Sequence, residues 1–184
     1  MRNLLMTMLI FSGLTAVASG LIVNGAVAAE TAPGVSTLLN KANAMNYEEI
    51  ELAKLARDKA GDNQALMTFA KTIESDHKAN EDAVAALSRQ KNVTLTGTPA
   101  SIDQKYKRME SLNGAEFNRA FLRDSVKDHS EALAFFEADK TKFRNDPNIY
   151  RYVEETIPVL RSHLEMARNL EHESSQWSQQ SHGS

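Results

Sequence analysis

The sequence predicts an all-α fold, a four-helix bundle with a short extra helix between helices two and three. Three observations predict it. Apolar residues recur at three- and four-residue spacing along four long stretches, the pattern of amphipathic helices. Gly, Asn and Asp cluster between those stretches, where turns are expected. The chain has 184 residues, 42% of them hydrophobic, which is one domain's length with enough apolar content for one core.

The first 29 residues stand apart. Arg2 is the only charge before Glu30, and an apolar run from Leu4 to Val23 follows it. Ala26-Val27-Ala28 then supplies the small residues that a signal peptidase accepts. A positive start, an apolar middle and an A-x-A end describe a secretory signal peptide over residues 1–29. The mature protein is then expected to be periplasmic or secreted. The alternative is an inner-membrane anchor, because the apolar run is just long enough to span a bilayer if it is not cleaved.

Residues 30–36, with Pro33 and Gly34, read as a linker. Ser36 or Thr37 can cap a first helix running to about Ala60, where Gly61 ends it. A second helix is expected from about Asn63 to Arg89. Lys91 to Pro99 is a Thr-rich connection, and Ser101 to Leu112 forms the short extra helix before Asn113-Gly114. A third helix covers about Ala115 to Phe143. Asp146 as cap and Pro147 at the first helical position start a fourth, running to about Glu171. The bundle thus spans residues 37–172. Ser, Gln, His and Gly dominate residues 173–184, which are expected to be a disordered tail with His172 and His182 solvated.

Composition narrows the chemistry. There is no cysteine, which excludes a disulfide partner, thiolate zinc sites, iron–sulfur clusters and a cysteine nucleophile. The formal net charge of −3 comes with no basic face, so no nucleic-acid partner is expected. The cluster Lys105, Lys107, Arg108 reads as a solvated helix face.

Each apolar stripe carries a polar residue near its middle. Leu38, Ala42, Met45, Glu49, Leu52 and Ala56 share one face of helix one. Leu66, Ala70, Ile73, His77, Asn80 and Val84 share one face of helix two. His129 stands between Val126 and Leu133 on helix three, and His163 between Leu160 and Ala167 on helix four. At 1.5 Å per residue, Glu49 lies about 18 Å before the first hairpin turn and His77 about 21 Å after it. His129 and His163 lie about 24 Å on either side of the second. All four therefore fall within about one helical turn of a common level. Inward ligand-type side chains at one level are how bundles build metal sites.

Further groups are in reach. Glu74 precedes His77 by three residues, the Glu-x-x-His spacing of di-iron bundles. Asp76 and Asp128 cannot orient the His beside them in sequence, since adjacent helical residues do not face each other. They can accept a ring N–H from a His on another helix. Pro158 removes one backbone hydrogen bond inside helix four, which predicts a kink just before His163. The same residues also admit a second reading, in which the buried Glu and His form a metal-free polar network that fixes which helix packs against which.

The run Asn46-Tyr47-Glu48-Glu49-Ile50-Glu51-Leu52-Ala53-Lys54-Leu55-Ala56, together with Phe69-Ala70, Asp76-His77-Lys78-Ala79-Asn80, Asp128-His129 and Ile157-Pro158-Val159-Leu160-Arg161-Ser162-His163-Leu164, resembles the bacterial family called domain of unknown function 4142, a ferritin-like group of exported proteins. The resemblance spans nearly all of residues 38 to 171. It implies a ferritin-like bundle whose characteristic positions are Glu49, His77, His129 and His163, and it implies no particular activity. Ferritin-like di-iron proteins carry a second Glu-x-x-His on helix four, but this chain has Leu160 there, and His129 replaces the third-helix Glu. Those departures speak against di-iron oxidation chemistry. A nitrogen-rich set suits zinc, copper, nickel or a single iron.

Two functions follow. One is an exported metal-binding protein with Glu49, His77, His129 and His163 as ligands and Glu74, Asp76 and Asp128 as supporting or extra ligands. The other is a non-enzymatic envelope or stress protein that presents its surface to a partner and uses the polar layer only for structure. No catalytic motif is present. Ser125, Ser130 and Ser162 lie near histidines, but Ser130 and Ser162 are sequence neighbours of His129 and His163 and do not face them, and there is no nucleophile elbow or phosphate loop.

Overall fold

The structure, a computed structural model, describes residues 33–97 and 99–180. The expected signal peptide lies outside the described residues. No described helix is long and apolar enough to cross a membrane.

The described residues are all-helical. Helix α1 spans Pro33–Lys59, α2 Gln64–Gln90, α3 Ala100–Glu110, α4 Gly114–Asp139 and α5 Pro147–Gln180, with a 3₁₀ turn at Lys140–Phe143 between the last two. Short turns make α1/α2 and α4/α5 the two closely packed pairs, and α2 against α5 and α1 against α4 join them. The expected elements are all present, α3 among them.

Local chemistry explains the boundaries. Gly61 ends α1 at φ +54°, a left-handed conformation that costs other residues. The Asn63 side chain then accepts from the Leu66 N–H at 3.0 Å and caps α2. Asn92, at φ 53°, closes α2, and the Val93 N–H returns to the Ser88 carbonyl at 2.9 Å. Asp146 caps α5 through the Ile149 N–H at 3.3 Å, with Pro147 in the first turn.

Three boundaries differ from expectation. α1 starts at Pro33, so residues 33–36 are helical and not linker. Proline's fixed φ suits a first helical position, and Val35 is buried in the core beside Leu38 and Leu39. The third long helix ends at Asp139 and tightens into the 3₁₀ turn that tucks Phe143 into the core. The last helix runs on through residues 173–180, expected to be disordered. No Pro or Gly occurs between Pro158 and Gly183 to stop it, and the Ser174 and Ser175 hydroxyls donate back to the Glu171 and His172 carbonyls. Pro158 lies inside α5 without ending it.

The core is in two parts. One cluster gathers Leu52, Ala56, Leu66, Phe69, Ile73, Phe117 and Phe121. The other gathers Leu38, Leu39, Val84, Phe136, Ile149 and Val153. Buried side chains of this size each contribute about 1.5–3 kcal/mol. The buried polar residues Asn46, Glu49, His77, His129 and His163 come from the same four helices, at the sequence positions between the two clusters.

Helix α3 is fastened to this frame. Ile102 and Met109 are its buried anchors. The Lys105 ammonium pairs with both Glu48 of α1 and Asp128 of α4. Lys59 of α1 donates to the Glu110 and Leu112 carbonyls at 2.7 and 2.6 Å, which holds the end of α3. Lys105 is therefore no solvated face residue. Burial alone would lower its pKa, but the Asp128 and Glu48 carboxylates raise it above the ordinary lysine value.

Candidate metal centre

His77 of α2, His129 of α4 and His163 of α5 meet in the buried interior between the helices. Their ring centroids are 5.2–5.6 Å apart. One ring nitrogen from each lies within 4.8 Å of the other two, and all three residues are buried. The apolar stripes explain the encounter: each His occupies a core-facing position at the same height, so packing the stripes brings the rings together.

The hydrogen bonds around the cluster assign its protons. The Thr156 hydroxyl donates to the Tyr152 carbonyl at 2.7 Å, so its oxygen accepts from the Asn80 amide nitrogen at 3.3 Å. That leaves Asn80 Oδ1 to accept from the Tyr152 hydroxyl at 3.0 Å and from Asn46 Nδ2 at 2.8 Å. Asn46 Oδ1 therefore faces His77 Nδ1 at 3.0 Å and requires a proton there. His129 Nδ1 donates to the Ser125 carbonyl at 2.9 Å. His163 Nε2 donates to Asp76 Oδ2 at 2.9 Å. Each ring thus carries its proton on an outer nitrogen. The nitrogens without a hydrogen-bond partner are His77 Nε2, His129 Nε2 and His163 Nδ1, all buried.

Neutral imidazoles with that proton placement present three lone pairs and no donor. Protonation does not relieve the mismatch near neutral pH. Burial, with His163 close by, pushes His129 down to about 4. Burial, then His129 and His163, holds His77 well below the ordinary histidine value. Burial lowers His163 as well, against the pull of Asp76. A cluster of buried, unprotonated nitrogens with their opposite nitrogens hydrogen-bonded to oxygen is a donor set that could hold a metal ion.

The other expected residues are placed differently. Glu49 is buried, but it stands outside the histidine group: its Oε1 lies 3.8 Å from His129 Nδ1, the outer nitrogen. Burial, then the Asp128 carboxylate, pushes Glu49 up to about 8, so it is largely protonated at neutral pH. Glu74 is drawn away by charge, pairing with Arg57 and Lys78, which lower its pKa. Asp128 pairs with Lys105 and not with a histidine. Asp76 alone takes the expected role, as acceptor for a histidine of another helix.

Asn46, the Ser125 carbonyl and Lys105 were not foreseen. Asn46 precedes Glu49 by three residues and so shares its helix face, a signal that was open to reading. The Ser125 carbonyl leaves no signal, because every residue has one.

The three histidines also line a cleft of about 500 Å³, in which Ala42, Met45, Ala83, Ala132 and Leu160 alternate with polar and acidic side chains.

The model of the family described as "Domain of unknown function (DUF4142)" matches residues 24–170. No curated protein and no solved structure gives a significant match.

Proposed function

We propose, on the premise that the chain belongs to the DUF4142 family, that it is an exported bundle protein that binds one transition-metal ion through His77, His129 and His163. The family's description carries no activity, so the reading rests on the centre. One observation carries it: three buried histidines from three helices bring one ring nitrogen each within 4.8 Å of the others, and each has a buried ring nitrogen with no hydrogen-bond partner. A structural polar network would pair donors with acceptors. A cation is what satisfies three lone pairs at once.

An all-nitrogen, neutral donor set suits zinc, copper, nickel or a single iron better than magnesium or calcium. Asn46, the Ser125 carbonyl and Asp76 would hold the rings in the ligating tautomer. Glu49 would stand beside the centre as a neutral carboxylic acid. Export rests on the leader features at Arg2, the Leu4–Val23 run and Ala26-Val27-Ala28, which would put the protein in the periplasm, outside the cell or, if uncleaved, on the inner membrane.

The test is metal content by mass spectrometry. The full chain is expressed with its leader and recovered from the periplasm without a His tag or chelator. About one equivalent of a single transition metal is the expected result. No metal, with none taken up on titration at neutral pH, would overturn it. The Asn46–Asn80–Tyr152–Thr156 hydrogen bonds form without a metal, and a structural polar layer, in a protein that presents its surface to an envelope partner, would then be the surviving reading.

A further inference from the structure

Three histidines do not complete a metal's coordination. A tetrahedral ion with three protein nitrogens keeps a fourth position for a water or another ligand. Glu49 does not fill it, because its carboxyl group stands against the outer nitrogen of His129. Glu74 and Asp128 are engaged by Arg57, Lys78 and Lys105. Among the described residues, no further carboxylate joins the three histidines as a ligand group.

The space next to the histidines is the cleft. At about 500 Å³ it has the size of a small-molecule pocket and far exceeds what one water needs. Its existence follows from sequence. Ala42, Ala79, Ala83 and Ala132 contribute short side chains at the level where four helices would otherwise fill the interior. Ile102 of α3 and Leu160 of α5 add apolar surface between the polar lining residues.

Charge around the cleft selects further. Glu48, Asp76, Asp128, Glu131 and Glu155 line it, with Lys41 as the one cation among its lining residues. Lys105 offsets Glu48 and Asp128, and carboxylates still predominate. A negative lining repels anions.

We infer that the cleft binds a non-anionic small molecule with an apolar portion, whose nitrogen or oxygen donor completes the coordination of the metal held by His77, His129 and His163. This rests on the metal-binding reading above. The metal supplies the directional contact and the alanine-walled cleft supplies the hydrophobic one. The centre is then a receptor for a ligand and not a closed structural site.

The experiment uses the full chain loaded with Co(II), whose visible d–d absorption reports its coordination. Titration with 1-methyl-, 1-butyl- and 1-hexylimidazole should shift that absorption, with affinity rising by up to about fourfold per methylene, the value for full burial. Heptanoate, an anion of similar length, should bind more weakly than 1-hexylimidazole. Cobalt retention is measured in the same samples. A cobalt spectrum that saturating 1-hexylimidazole leaves unchanged would overturn the inference, as would equal affinity for the methyl and hexyl compounds or tighter binding of heptanoate. Absence of any cobalt binding would overturn the metal reading itself, and the ligand site with it.

Discussion

Asn46 Oδ1 and His77 Nδ1 lie 3.0 Å apart in the buried polar layer between α1 and α2. That contact sets the tautomer of His77, because Asn46 turns its amide nitrogen to Asn80 and has only its oxygen to offer. A tautomer fixed by an outer hydrogen bond is a determinant of metal affinity. Asn46→Leu is therefore expected to weaken metal binding by about 10–100-fold with helical content retained. Competition against a chromophoric chelator reads the affinity, and a value within twofold of the parent would remove this role from Asn46.

Replacing His77 and His163 together by Ala should abolish metal retention while circular dichroism still reports a helical protein. Asp76→Asn should do less, since the Asp76 side chain is 44% exposed and solvent can take over part of its role. A His77/His163 double variant that keeps a full equivalent of metal would show that the ligands lie elsewhere.

The metal-free protein should have an optimum of stability in pH. His129 has a folded pKa of about 4 against an ordinary 6.5, so below 6.5 the unfolded state binds more protons and stability falls as pH falls through that window. His77 acts in the same direction. Glu49 is opposite: its pKa rises from 4.5 to about 8, the folded state holds the extra proton, and stability falls as pH rises through that window. Urea unfolding across the range should give a maximum, and Glu49→Gln should flatten its alkaline side. An alkaline slope unchanged in that variant would mean that Glu49 ionises freely in the fold.

Lys105 ties α3 to α1 and α4 at Glu48 and Asp128, the sequence neighbours of Glu49 and His129. Lys105→Met leaves two partly buried carboxylates without their cation and should cost about 1–3 kcal/mol of unfolding free energy. Amide exchange should accelerate first within Ala100–Glu110. Unchanged protection there would show that Ile102 and Met109 suffice to hold the helix.

Metal should also stabilise the fold by mass action. At free metal a hundredfold above its Kd, the gain is on the order of 3 kcal/mol. Thermal unfolding with and without added zinc measures it, and the His77/His163 double variant should show no such gain.

Much of this could be read from sequence, for reasons that differ by residue. The helices and the common level of His77, His129 and His163 follow from apolar periodicity and constant rise, which are local rules. Glu49 shows where those rules stop. Its height was predicted, but which neighbour it faces depends on side-chain geometry, and it faces the outer nitrogen of His129. Glu74 has the ligand spacing and lost it to Arg57 and Lys78, a competition that spacing does not register. Lys105 looked solvated because its two carboxylates lie 57 and 23 residues away in sequence. Polarity predicts disorder beyond Glu173, but no Pro or Gly interrupts the helix before Gly183, and polarity alone does not stop it.

The polar layer between the two apolar clusters also acts on folding. Amphipathic helices packed through Leu, Ala and Phe alone could slide past one another by a turn, about 5.4 Å, and still bury similar apolar surface. Such a slip of α5 would carry His163 away from Asp76 and break their hydrogen bond. It would also break the Asn80–Tyr152 hydrogen bond. Hydrogen bonds between helices in this layer thus favour the register that also assembles the centre over its one-turn neighbours.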